Sequence, residues 1–227
     1  MAQSEAARRN MIADIAHELR NPLGVIQGQL EGMLDGVFPT TSEQVASLYD
    51  ETLLLARLVG DLRDLALADA GQLQIARQPT DLCALIEKTA SAFMLQANEK
   101  NISLTTKIAD NLPQVNIDAQ RIEQVLRNLV GNALRHTPDN GVVGIQCSVE
   151  NGAAVARVRD TGAGIAREDL PHVFERFWRG DKARVRAGGG AGLGLAIAKQ
   201  LIAAHGGTMG VESDAGRGAI FWFTLPM

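Results

Sequence analysis

Asp118-Ala-Gln-Arg-Ile-Glu-Gln-Val-Leu-Arg-Asn128-Leu-Val-Gly-Asn132-Ala-Leu-Arg135-His136-Thr137 is the stretch on which the reading of this chain turns. Ile122, Val125, Leu126, Leu129, Val130 and Ala133 recur at helical spacing, and Asp118 stands where a capping side chain belongs. Asn128, Asn132 and Arg135 fall at i, i+4 and i+7, a polar line opposite the apolar face. Amide oxygens are hard donors suited to Mg2+, and a guanidinium suits phosphate oxygens. Taken alone, the same line also describes a solvated helix face.

Around this helix the texture alternates between helix and strand. The pattern predicts a helix over 81–99 behind a Thr80/Asp81 cap, short strands over 103–108 and 115–117, and a hairpin of 142–149 with 153–159 turned at Glu150-Asn151-Gly152. A helix over 192–204 ends at Gly206, and a last hairpin, 208–213 with 219–225, turns through Asp214-Ala-Gly-Arg-Gly218, read as a plain turn. Helices grouped against a mostly antiparallel or mixed sheet make a two-layer α/β sandwich. Upstream the texture changes. Ile12, Ala16, Leu19, Leu23, Ile26, Leu30 and Met33 step by four and three, and after Gly36-Val-Phe-Pro-Thr-Thr-Ser42 the same rhythm returns in Val45, Leu48, Thr52, Leu55, Val59, Leu62 and Ala66. One helical hairpin alone has nowhere to bury so broad a stripe, whereas two hairpins form a four-helix bundle, so a homodimer is expected, the alternative being a hairpin folded onto the rest of its own chain. The fold class is therefore α+β: a helical hairpin over 1–70, a hinge linker over 71–79 that includes Arg77-Gln78-Pro79, and an α/β sandwich over 80–227.

The chain has 227 residues, 46% of them hydrophobic, enough to bury a core. Its formal charge of −4 disfavours nucleic-acid binding through a net positive field. The charge is unevenly placed: residues 1–70 hold 5 basic and 11 acidic groups, and 71–227 hold 17 and 15. Two widely separated cysteines, Cys83 and Cys147, form no Cys-x-x-Cys pair, which fits a reducing, cytoplasmic setting. No apolar run is long enough to span a bilayer. The Glu5-Ala-Ala-Arg-Arg start reads as a helix entering from an upstream linker, so any membrane attachment is expected through upstream segments.

Three further clusters carry chemistry. His17-Glu18-Leu19-Arg20-Asn21-Pro22 places an outward imidazole beside a carboxylate, with Asn21 one turn on and a proline expected to kink or loosen the helix. Asp160-Thr-Gly162-Ala-Gly164 follows a strand, where a carboxylate can accept from a base's exocyclic amine and glycines admit a planar ligand. Gly188-Gly-Gly190-Ala-Gly192-Leu193-Gly194-Leu-Ala-Ile runs glycines into a helix start, a phosphate cradle without the Gly-Lys-Ser/Thr of a Walker loop. Before it, Arg176-Phe177-Trp-Arg179-Gly-Asp-Lys182-Ala-Arg184-Val-Arg186 has five basic residues in eleven, read as a lid over a polyphosphate. His205, at a helix end, is read as a partly positive ring suited to the helix dipole.

In this order and spacing the clusters resemble a two-component sensor histidine kinase from about Ala7 to Leu225. His17 to Leu23 is similar to the H box, Asn128 to Thr137 to the N box, Asp160-x-Gly162-x-Gly164 to the G1 box, Phe174-Glu-Arg-Phe177 to the F box, and Gly190 to Leu195 to the G2 box. Ala191 departs from the Thr common in that last motif. The resemblance implies a dimerisation and histidine phosphotransfer domain followed by an ATP-binding domain of the gyrase, Hsp90, histidine kinase and MutL superfamily. It implies ATP and Mg2+, with Asp160 on adenine, Gly162 and Gly164 in the base pocket, Asn128 and Asn132 at the metal, and Arg135 and Arg179 on phosphates. His136 and Phe177 would line the base or sugar, and Gly190, Gly192, Leu193 and Gly194 the phosphate loop. His17 would accept the phosphoryl group with Glu18 as base or orienter, a response-regulator receiver domain would take it on, and Asn21 would serve the reverse, phosphatase reaction. A nucleotide-gated dimeric scaffold and an ATPase of the same superfamily are the competing readings.

Overall fold

The computed structural model describes residues 2–109, 112–178 and 191–227. It divides into two compact units, Met1–Ala66 and Leu67–Met227. The first unit is a hairpin of α1 (Ala2–Leu34) and α2 (Ser42–Asp69), with the last turn of α2 in the second unit. The chain reverses where the amides of Val37 and Phe38 both donate to the carbonyl of Gly32. α1 runs unbroken through Pro22, whose side chain is buried, so the expected loosening does not end the helix.

The heptad stripe splits into two. Leu19, Ile26 and Met33 on α1 and Leu48, Leu55 and Leu62 on α2 are half-buried within the hairpin. The alternate members, Ala16, Leu23 and Leu30 on α1 and Val45, Val59 and Ala66 on α2, are exposed. Leu58 and Leu65, outside the stepped series, are the buried residues of α2.

The second unit has a five-stranded sheet and a two-stranded one. The larger sheet comprises β2 (Ser103–Ile108), β4 (Val142–Glu150), β5 (Ala153–Asp160), β6 (Met209–Ser213) and β7 (Ala219–Pro226), in the order β2-β4-β5-β7-β6. Within it β2 and β4 pair in parallel, and the other neighbours are antiparallel. On one face lie α3 (Leu82–Glu99), α4 (Ala119–His136) and α5 (Gly194–Ala204), with α4 in the middle. On β7, Ala219, Phe221, Phe223 and Leu225 are buried at every second position, the period of a strand with one covered face. α4 turns Ile122, Val125, Leu126, Leu129, Val130, Ala133 and Leu134 inward. Its N-terminus is capped by Asp118, whose Oδ1 accepts from the amides of Gln120 and Arg121, both at 3.1 Å. Asp81 caps α3 through the amide of Ala84.

One element differs from the sequence reading. Gln78 and Pro79, read as linker, and Thr80, read as part of a helix cap, form strand β1, which pairs antiparallel with β3 (Val115–Ile117). Proline is tolerated there because the pair is only two strands wide, so an edge position is available. Cys83 and Cys147 are free thiols, and burial pushes the Cys147 thiol up to about 12, which marks it as a packing residue. No helix among the described residues is long and apolar enough to cross a membrane.

Leu129 is fully enclosed whereas Leu95 on α3 is 73% exposed. Leu129→Ala is expected to destabilise the second unit by about 2–5 kcal/mol, and Leu95→Ala by no more than about 0.5 kcal/mol, read from denaturant midpoints.

Candidate functional site

The site is assembled where α4, α5 and the end of β5 come together. Asn128, half-buried on the polar face of α4, donates from Nδ2 to the carbonyl of Gly194 at 2.9 Å. That bond orients the amide and leaves its Oδ1 for another partner. Asn132 follows one turn later, also half-buried, while Arg135 and His136 are exposed at the end of the helix. The α5 start is unusual: its N-cap is Leu193, which supplies no side-chain hydrogen bond. Among the described residues no side chain caps the first N–H groups of α5, and the helix dipole favours an anion there.

Leu193 itself is 2% exposed, so its side chain belongs to the core and only its backbone can serve a ligand. Gly192 has φ +71°, and a Cβ there would press on the Phe177 backbone. Phe177 also lies at positive φ, 60°, and its amide donates to the Gly192 carbonyl at 3.1 Å. The F-box and G2-box residues are thus joined backbone to backbone. Arg176, the first cation of the basic run, pairs with Asp69 inside the second unit. Arg179 and Gly190, with the rest of that run, lie outside the described residues.

Asp160 ends β5 and is 3% exposed. Its Oδ1 accepts from the amides of Gly162 at 2.8 Å and Ala219 at 3.3 Å. Both bonds fall on one oxygen, and among the described residues no donor reaches Oδ2. Burial pushes the carboxyl above its ordinary range, opposed by these two bonds and by nearby His136. The Gly162 turn packs on the His136 carbonyl, which draws the end of α4 to the same place.

The turn at Asp214–Gly218 has more to do than the sequence suggested. The Gly216 amide donates to the Ala163 carbonyl at 2.7 Å, and Gly164, at φ +67°, lies so close to Asp214 that a Cβ would overlap its carbonyl oxygen. Ser213 Oγ accepts from the Ile165 amide at 2.9 Å and donates to the Gly218 carbonyl at 2.6 Å. This turn buttresses the loop after Asp160. It was missed because nothing local in its composition distinguishes a buttress from a free reversal.

His205 also differs from its sequence reading. It is 2% exposed, its Nδ1 bonds the Leu201 carbonyl at 2.7 Å, and its Nε2 accepts from the Asp118 amide at 3.0 Å. Those partners require a neutral ring with the proton on Nδ1, so the expected partly positive ring is overturned. Burial, the largest influence, lowers its affinity for a proton. In the first unit, His17 and Asn21 are exposed on α1 and Glu18 is half-buried. Among the described residues no group of three or more His, Cys, Asp or Glu gathers into a metal cage.

The second unit thus has the architecture of an ATPase of the gyrase and Hsp90 type. Residues 117–227 match the model "Histidine kinase-, DNA gyrase B-, and HSP90-like ATPase", and residues 7–71 match "His Kinase A (phospho-acceptor) domain". The Acinetobacter baumannii histidine kinase AdeS is 32% identical with a TM-score of 0.77, over 93% of this chain and 98% of that one. Full-length ShkA, solved in complex with AMPPNP, is 32% identical with a TM-score of 0.71, over 96% of this chain and 45% of that one. The sensor protein SrrB of Staphylococcus aureus is 35% identical over 222 residues, which cover 96% of this chain. The chain belongs to the histidine kinases. It spans about 38% of the length of the curated relatives it matches.

Gly164→Ala places a Cβ against Asp214 in a left-handed conformation. It is expected to destabilise the second unit by more than about 1 kcal/mol, seen as a lower thermal midpoint.

Proposed function

We propose that the chain is the catalytic core of an ATP-dependent protein-histidine autokinase, in which residues 1–70 carry the phosphoacceptor, 71–79 the hinge and 80–227 the nucleotide site. The observation that carries the reading is the bond from Asn128 to Gly194, which joins the N-box face to an uncapped helix start. A strand-end carboxylate with an open Oδ2 and an AMPPNP complex of the similar kinase ShkA support ATP as the nucleotide.

In this reading Asp160 accepts from the adenine amine while Gly162 and Gly164 let the backbone approach the ring. His136 and Phe177 flank the base or sugar. Arg135 and Arg179 engage phosphate oxygens, and the amides of Gly190, Gly192, Leu193 and Gly194 cradle them. Magnesium fits the donors present, since Asn128 keeps Oδ1 while its Nδ2 is engaged and Asn132 is half-buried on the same face. When bound, Mg2+ would neutralise phosphate charge, with much of its coordination supplied by phosphate and water. An imidazole nitrogen of His17 attacks the γ-phosphorus in line. The P–N bond forms as the bond to the β,γ-bridging oxygen breaks, and ADP leaves. Glu18 orients the ring or accepts the proton that it sheds.

The acceptor of the second transfer is an aspartate of a response-regulator receiver domain. Asn21, exposed one turn from His17, positions water for the reverse phosphatase reaction. A homodimer is supported by the open half of the heptad stripe, with Val59 53% and Leu23 45% exposed. The core works in the cytoplasm, with membrane attachment only through upstream segments where the natural protein is longer, and no nucleic acid takes part.

With radiolabelled Mg-ATP the chain is expected to acquire an acid-labile, base-stable label that His17→Gln loses; equal labelling of the variant overturns the acceptor assignment. Steady ATP hydrolysis without that label would favour the superfamily-ATPase reading. Asp160→Asn keeps an oxygen for the Gly162 and Ala219 amides but turns a donor toward the base. It should weaken adenine-nucleotide binding by about tenfold or more, measured by calorimetry, while the fold is retained. Asn21→Ala should preserve autophosphorylation and slow regulator dephosphorylation.

A further inference from the structure

At the end of α5 opposite its phosphate-facing start, four residues form a closed circuit that the proposed chemistry does not use. His205 donates from Nδ1 to the Leu201 carbonyl within α5 and accepts at Nε2 from the amide of Asp118, the α4 cap. The same Asp118 spends Oδ1 on the first turn of α4 and accepts at Oδ2 from the amide of Ala76 at 3.0 Å. Arg77, next in the chain, donates from Nη2 to the Ala204 carbonyl at 2.9 Å. Immediately afterwards β1 begins and pairs with β3, whose last residue precedes Asp118. Ala76 is therefore bonded to the cap of α4, Arg77 to the last turn of α5, and residues 78–80 to β3. Those two helices carry Asn128, Asn132 and the phosphate-facing helix start.

We propose that His205 is a positioning residue for phosphotransfer: through Asp118, and with Arg77 closing the circuit, it fastens the segment that arrives from the helical hairpin to the two helices that build the nucleotide site. The inference rests on the autokinase reading. A neutral imidazole is one of few side chains that can donate from one edge and accept at the other while almost wholly buried. Both roles are used here, and the partners lie on different helices. A residue needed only to fill space would not require an acceptor aimed at the amide of a helix cap. The circuit lies at the start of α4, more than two turns before Asn128, and at the end of α5 opposite Gly194, so its loss leaves the nucleotide contacts standing. What it releases is the attachment of the linker.

Protonation has a defined effect. Burial is the main influence that disfavours a proton on the ring, opposed by the Leu201 carbonyl bond; of the charged groups facing it, Arg77 disfavours the proton and Asp118 favours it. The folded ring holds its proton less tightly than the unfolded one. The stability it contributes is therefore present in full above about pH 6.5 and is lost as pH falls from there through the lowered folded value. A protonated Nε2 cannot accept from Asp118, so the clasp opens in acid.

The test uses the whole chain and three variants, His205→Phe, His205→Gln and Arg77→Met. Hydrogen exchange at the Asp118 and Ala76 amides reads the circuit without reference to activity. AMPPNP affinity reads the nucleotide site, and the single-turnover rate of His17 labelling at saturating Mg-ATP reads the transfer. His205→Phe should speed exchange at both amides by about tenfold and slow labelling by about tenfold, with AMPPNP affinity held within about threefold. His205→Gln, which keeps an acceptor, should recover most of both losses and lack the loss of Asp118 amide protection that the wild type shows in acid. Arg77→Met, at an exposed position, should slow labelling by a smaller factor without loss of fold, which keeps the test decisive if His205→Phe does not fold. Unchanged Asp118 exchange in His205→Phe, or a fall in AMPPNP affinity parallel to the fall in labelling, would overturn the proposal. So would unaltered labelling in both His205→Phe and Arg77→Met. A wild type that shows the exchange pattern but never labels His17 instead sinks the autokinase reading and leaves the clasp intact.

Discussion

The second unit depends on one helix having two faces. Burying Ile122, Val125, Leu126, Leu129 and Val130 holds α4 at the centre of the helical layer, between α3 and α5 and over the middle of the sheet. Hydrophobic burial is non-directional and says little about where along its axis a helix sits. Two polar fastenings supply that information. The bond from Asn128 to Gly194 fixes the middle of α4 against the start of α5, and the bond from Asp118 to His205 fixes its start against the end of α5. The first of these, at the polar line itself, sets where Asn128 and Asn132 stand, and the second sets where the segment arriving at Ala76 is fastened.

Asp160 shows how a binding group is kept in place by residues that never meet the ligand. A carboxylate 3% exposed is costly to keep charged, and two backbone N–H groups offset part of that cost. One of the two, from Ala219, arrives from a different hairpin. The orientation of Asp160 therefore depends on the Asp214–Gly218 turn as much as on its own loop.

What the sequence made legible was whatever is periodic or local. The α4 stripe, the caps at Asp81 and Asp118 and the strands at 103–108 and 115–117 follow from side-chain spacing and turn chemistry, and each is found at that place. The polar line of Asn128 and Asn132 was visible for the same reason. Hidden from it were bonds across long separations: His205 to Asp118, Gly216 to Ala163, and the β1–β3 pair. Pro79 was read as part of a linker, and nothing local to it reveals the pairing with β3. His205 before a glycine looks like any helix-end histidine until the amide it accepts from is brought up against it.

The divided heptad stripe of the hairpin has a thermodynamic meaning. Leu19, Ile26 and Met33 find cover within one chain, and Ala16, Leu23 and Leu30 do not. If a second copy supplies that cover, part of the driving force for ordering α1 and α2 becomes a bimolecular term. Mass action then makes the melting of the hairpin depend on how much protein is in the tube. The second unit, whose core closes within its own chain, has no such dependence. Dilution therefore separates the two units by their concentration laws, a distinction that neither amino-acid composition nor helix length contains.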